Sequence, residues 1–130
     1  MAISVLIVDD DSTFRVLARR LLVGAGLRVV GEGGNIAEGL SMAKDLKPDA
    51  ALVDVGLPDG DGFGLARQLT ALPWRLRVVL TSVESDVGPD GAVRSAGAEA
   101  FVHKADLPNA PLARLLGGGQ RRRAPRRRSA

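Results

Sequence analysis

Five short, largely apolar runs recur along the chain: Ile3–Val8, Leu27–Val30, Ala50–Val53, Arg77–Thr81 and Ala100–His103. Each is too short for a core helix. The apolar residues follow one another without alternation, the pattern of strands buried on both faces of a parallel sheet. Between the runs the spacing turns helical. Phe14, Leu17, Ala18, Leu21 and Leu22 predict a first helix over Thr13–Val23, with Ser12 or Asp11 as its cap and Gly24 and Gly26 as its stop. After a Gly31–Gly34 loop, Asn35 with Glu38 forms a capping pattern for a second helix carrying Ile36, Leu40, Ala43 and Leu46, closed by Pro48. Phe63, Leu65, Ala66, Leu69 and Leu72 mark a third helix, which Pro73 ends. A fourth helix, about Asp90–Ala96, and a fifth, about Asn109–Leu116, are predicted to be short, the fifth stopping at Gly117-Gly118-Gly119. Strands alternating with helices five times predict an α/β fold, a doubly wound parallel sheet with helices on both faces and right-handed crossovers.

At 130 residues one domain is expected, over residues 1–116, followed by a Gly/Arg-rich tail over 117–130. With no Cys, disulfides and thiolate metal sites are excluded. The amino-terminal Met1-Ala2-Ile3-Ser4 has no basic start of the kind a signal peptide carries, and no apolar stretch approaches the roughly 20 residues of a membrane span. A soluble cytoplasmic protein is therefore expected. The net charge of +3 divides unevenly. Arg121, Arg122, Arg123, Arg126, Arg127 and Arg128 lie in the tail, so the remaining 12 bases face 15 acids. The expectation is a mildly acidic domain with a basic, disordered tail. The tail is either a solvated end or a contact for nucleic-acid phosphates or an anionic surface. No aromatic interleaves its arginines, which argues against base stacking.

The candidate chemistry lies at the carboxyl ends of the predicted strands, where open α/β sheets bind their ligands. Asp9 and Asp10 follow the first strand, Asp54 the third, Thr81 the fourth and Lys104 the fifth. Taken alone, Asp54 could simply start a turn or cap a helix, and Thr81 could be an ordinary strand-end hydroxyl. Together they bring three carboxylates, a hydroxyl and an ammonium to one rim. Acids so placed repel one another unless a cation joins them, and hard oxygen ligands with room for water suit Mg2+ better than zinc.

This set resembles the receiver domain of two-component response regulators. The resemblance covers about residues 3–116 and rests on Asp9-Asp10, Asp54 with Leu57-Pro58 and Gly62, Thr81-Ser82, Gly97-Ala98 and Phe101-Val102-His103-Lys104, all in the family's order. It implies a flavodoxin-like sheet of order 2-1-3-4-5. It also implies a phosphoacceptor switch that takes a phosphoryl group from a histidine kinase or a histidine phosphotransfer protein. By resemblance, Asp54 is the nucleophile and the modified residue. Mg2+ is held by Asp10, Asp54 and the Gly56 carbonyl, with Asp9 on a metal-bound water. Lys104 contacts the phosphoryl oxygens, Thr81 moves toward them, and Phe101 follows it inward. The fourth helix, fifth strand and fifth helix would then form the face read by an output protein.

Two features depart from the family pattern. Ala105 stands where many receivers have Pro after the Lys, so the loop is expected to lack that constraint, and the short fourth and fifth helices are expected to reduce the output face. Three alternatives compete. Asp9-x-Asp11-x-Thr13 matches the nucleophile motif of haloacid-dehalogenase-type aspartyl phosphatases, with Asp9 as nucleophile, but leaves Asp54 without a role. A pseudo-receiver that binds partners without phosphorylation would not need the full acid, hydroxyl and Lys set. Asp59-Gly60-Asp61-Gly62 suggests a calcium loop, but Phe63 and Thr70 occupy ligand positions, so it reads as a turn feeding the third helix. The plainer alternative for Phe101 is a core or edge aromatic of the fifth strand. His103 reads as an outer-face strand residue and Trp74 as a partly exposed loop aromatic.

Overall fold

The computed structural model of the chain describes residues 2–84 and 91–118. The five strands are β1 (Ser4–Val8), β2 (Arg28–Gly33), β3 (Ala50–Asp54), β4 (Arg77–Ser82) and β5 (Ala100–His103). They form one sheet in the order β2-β1-β3-β4-β5, and all neighbours are parallel. The helices are α1 (Ser12–Gly24), α2 (Ile36–Leu46), α3 (Gly62–Thr70), α4 (Ala92–Ser95) and α5 (Leu112–Gly117). Among the described residues no helix is long and apolar enough to cross a membrane.

The apolar strands are buried on both sides because each face has its own core. Alternate residues Leu6, Val8, Ala51, Val53, Val78 and Leu80 pack with Ala43 of α2, Leu65, Ala66 and Leu69 of α3, and Ala96 just after α4. The residues between them, Val5, Ile7, Ala50, Leu52 and Val79, pack with Phe14, Ala18 and Leu22 of α1 and with Leu107, Leu112 and Leu116. The helices thus divide between the two faces as the doubly wound reading requires.

Boundaries shift where backbone pairing or close approach outweighs composition. The Gly31–Gly34 stretch expected as a loop extends β2 to Gly33, which pairs with Val8. Those glycines mark crowding rather than a turn: a Cβ on Gly31 would lie 2.9 Å from the Leu46 side chain, and one on Gly33 3.2 Å from the Gly39 backbone. The loop after β3 contains a two-residue antiparallel ribbon, Gly56–Leu57 against Gly60–Asp61, too short to leave an apolar signature. Helix α4 is four residues long, and the expected start at Asp90 lies outside the described residues. Helix α5 starts at Leu112 and runs one residue into the glycine triplet before Gly118 turns left-handed. The tail beyond Gly118 lies outside the described residues.

The segment after β5 lacks a proline at position 105, yet it is regular: Lys104–Asn109 forms a 3-10 helix whose Leu107 is fully buried in the α1-side core. That anchor fixes the backbone carrying Lys104. Leu107→Ala is expected to destabilise the fold by about 2–5 kcal/mol, the range for truncating a buried leucine. Denaturant unfolding checks it, and a loss well under 1 kcal/mol would show that the segment is not anchored.

Candidate functional site

Strand register assembles the rim. Val8 pairs with Val53, so Asp9 falls one step beyond β1, level with Asp54. Asp54 pairs with Thr81, and Thr81 with Val102, which places Lys104 two residues past that row. Asp9, Asp54 and Thr81 are buried, whereas Asp10 is exposed. Carboxylate oxygens of Asp9, Asp10 and Asp54 lie within 4.8 Å of one another. One small hard cation can bridge that span, and the exposure of Asp10 leaves room for water ligands. The donor set therefore fits Mg2+. Gly56, expected to offer its carbonyl, is exposed beside this cluster, and its N–H donates to Asp54 Oδ1 at 3.3 Å.

Lys104 reaches into the acids. Its Nζ lies 2.7 Å from Asp9 Oδ2 and 3.4 Å from Asp54 Oδ2. The Asp9 contact is a short ion pair between a largely buried ammonium and a buried carboxylate. Asp9 Oδ1 accepts from the Asp11 N–H at 2.9 Å. Burial pushes the Asp54 carboxyl above its ordinary value, and the neighbouring Asp9 carboxylate pushes it further, while Lys104 and the Gly56 N–H oppose both without cancelling them. Burial alone would lower the Lys104 ammonium. Its contacts with Asp9 and Asp54 outweigh that and hold it above its ordinary value. Thr81 Oγ1 is buried and has no hydrogen-bond partner among the described residues, so a donor is available at the rim.

Close packing holds the acceptor strand end. A Cβ on Gly62 would lie 2.2 Å from the Asp54 carbonyl oxygen, so only glycine lets α3 begin against it. The Gly62 N–H donates to the Val55 carbonyl at 2.7 Å. Asp59 ties the same loop to α2 by accepting from Ile36 N at 2.8 Å and Ala37 N at 3.2 Å. Those bonds, the Ile36 N–H above all, hold its carboxyl below the ordinary value. Asp61 caps α3 through Gly64 N. Both acids of the apparent calcium loop thus serve helix N-termini. Asp11, the second acid of the phosphatase-like motif, is likewise the cap of α1, accepting from Thr13 N and Phe14 N.

Phe101 is half-buried on the α3/α4 face, with its ring edge-to-face against His103 at 4.9 Å. Trp74 is half-buried, as a partly exposed loop aromatic should be, and its indole N–H donates to the Pro48 carbonyl at 3.0 Å. Three residues at the rim escaped the sequence reading. The Phe14 ring lies under the Lys104 ammonium at 4.3 Å. Arg15 donates to the Asp9 carbonyl and pairs with Glu32. Asp59 clamps the acceptor loop. For Phe14 and Arg15 a signal was present, since the first turn of α1 follows directly on the acid pair.

The sequence model of the response regulator receiver domain matches residues 5–113. The DNA-binding transcriptional activator DevR/DosR of Mycobacterium tuberculosis is 41% identical over 119 residues, covering 88% of this chain and 52% of the relative. The chemotaxis protein CheY of Thermotoga maritima is 28% identical over 105 residues, covering 81% and 88%. Among solved structures, the receiver domain of NarL from Mycobacterium tuberculosis superposes with a TM-score of 0.77 at 27% identity, covering 92% of this chain and 98% of that one. The chain spans about half the length of several curated transcriptional regulators it matches.

The raised Asp54 fixes the sign of a pH effect. The folded state holds the Asp54 proton to higher pH than the unfolded chain does. The stability Asp54 contributes is therefore full below the ordinary carboxylate range and lost as pH rises through the raised value. In chelator, Asp54→Asn is expected to melt higher than the parent at neutral pH, with the gain shrinking as pH falls through the carboxylate range. Thermal melts across pH check this. An Asn variant less stable than the parent at neutral pH would contradict it.

Proposed function

The chain belongs to the response regulator receiver domain family, and on that premise we propose that it is a phosphoacceptor switch, phosphorylated on Asp54 by a histidine kinase or a histidine phosphotransfer protein. Receiver domains of this family are signalling switches rather than enzymes turning over an external substrate. The observation that carries the reading is the placement of Asp54. It is buried at the exit of the central strand, in one oxygen cluster with Asp9 and Asp10 and 3.4 Å from the Lys104 ammonium.

In the proposed reaction a carboxylate oxygen of Asp54 attacks phosphorus. The bond from phosphorus to the donor breaks, and its electron pair leaves with the donor. Asp10, Asp54 and the Gly56 carbonyl, with Asp9 beside them, would hold Mg2+, which when bound would supply charge neutralisation for the phosphoryl oxygens. Lys104, 3.4 Å from Asp54 Oδ2, adds a second positive charge. The unpartnered Thr81 hydroxyl donates to a phosphoryl oxygen, which gives a buried donor the partner it lacks. Alignment and charge neutralisation carry most of the rate in such transfers. Movement of Thr81, followed by Phe101, then shifts the population of conformers at the face formed by α4, β5 and α5, where an output protein binds. The arginine tail is a further candidate contact for nucleic acid or an anionic surface.

The test is to incubate the full chain with Mg2+ and a small acyl phosphate, then map phosphoryl-aspartate by mass spectrometry. One phosphoryl group on Asp54 is expected, dependent on Mg2+ and absent from Asp54→Asn. Labelling on Asp9, or labelling that persists in the Asn variant, would overturn the reading in favour of the phosphatase chemistry.

A further inference from the structure

We infer that Phe14 is a positioning residue for Lys104, its ring face holding the ammonium at the acceptor site while the carboxylates around it change partners. This rests on the phosphoacceptor reading and adds to it a residue outside the acid, hydroxyl and Lys set.

Lys104 is tethered on three sides. Asp9 Oδ2 is at 2.7 Å, Asp54 Oδ2 at 3.4 Å, and the centroid of the Phe14 ring at 4.3 Å. The ring distance is well inside the range in which an aromatic face attracts a cation. Both partners are largely withdrawn from water: Phe14 is 8% exposed and the Lys104 side chain 12%. Desolvation is the condition under which this attraction is strongest. The backbones behind the two side chains are fixed independently. Phe14 lies in the first turn of α1, which Asp11 caps, and Lys104 opens the 3-10 helix anchored by Leu107. Phe14 and Leu107 share the α1-side core, so the ring cannot swing away without opening it.

The proposed reaction makes this third contact matter. Before phosphotransfer the ammonium is closest to Asp9. To meet the phosphoryl oxygens it must leave Asp9 and move along Asp54. A third carboxylate at the Phe14 position would hold it back. An aliphatic side chain would leave four rotatable bonds of lysine unrestrained once Asp9 let go. A ring face attracts the charge without a fixed direction, so the ammonium can slide toward the phosphoryl group and stay restrained.

The experiment places 4-fluoro-, 3,5-difluoro- and 3,4,5-trifluorophenylalanine at position 14 of the full chain, with Phe14→Leu alongside. Fluorine withdraws charge from the ring face while keeping its size and apolarity nearly constant. Three quantities are read on each protein: the NMR ring-current displacement of the Lys104 ε-methylene protons, the initial rate of Asp54 labelling by an acyl phosphate with Mg2+, and the melting temperature. The parent is expected to show displaced Lys104 protons, and Phe14→Leu to lose the displacement and label roughly 2- to 30-fold more slowly. Across the fluorine series the rate is expected to fall stepwise while the melting temperature stays nearly level. A flat series, or rates that simply follow melting temperature, would overturn the inference and leave Phe14 a core residue. Undisplaced Lys104 protons in the parent would overturn it outright. A parent that shows the displacement but is not labelled at Asp54 would sink the phosphoacceptor reading, and with it the role of Phe14 in phosphotransfer, while leaving the ring–ammonium contact standing.

Discussion

One ammonium between two buried carboxylates sets the terms for the rest of the site. Asp9 is 1% exposed and Asp54 7%, and they are neighbours across two parallel strands. Without an internal cation, two charges so placed would repel each other across the rim. Lys104 supplies that cation at 2.7 and 3.4 Å. Compensation is partial: Asp54 stays raised. The residual upward push on Asp54 comes first from burial and then from Asp9, and a divalent cation at these three acids would offset the second of these.

The surrounding fold serves to hold these charges in place. Apolar strands buried on both faces fix the register that brings Asp9, Asp54 and Thr81 level. Gly62 lets α3 start in contact with the Asp54 carbonyl, and Asp59 fastens the intervening loop to α2. Arg15 holds the carbonyl of Asp9 from the other side. Leu107 fixes the backbone of Lys104 where many relatives are expected to use proline. The buried leucine gives one long, flexible side chain a fixed backbone platform.

Much of this was legible in the sequence, because the strongest signals were those with a physical period or a fixed place. Continuous apolar runs gave the five strands, helical spacing gave the helices, and the strand ends named Asp9, Asp10, Asp54, Thr81 and Lys104. Legibility failed where pairing or packing overrides composition. Gly31 and Gly33 look like a loop, yet they lie in a strand because a helix presses against it. The 3-10 helix after Lys104 depends on one leucine finding a core that only tertiary structure assembles. Phe14 stands in the turn that follows the acid pair, but its helical spacing also fits a plain core position, and only the ammonium over its ring separates the two. Asp59 resembled a metal ligand because its true partners, the amides of α2, are more than twenty residues away in the chain.

The central claim is that Lys104 and an added cation compensate the same carboxylates. Calorimetric titration of Mg2+ into the parent and into Lys104→Met tests it directly. Removing the ammonium leaves the acids unpaired, so the variant is expected to bind Mg2+ more tightly than the parent while failing to accept phosphate at the parent's rate. Mg2+ affinity that is unchanged or weaker in the variant would show that the ammonium and the cation do not share these acids.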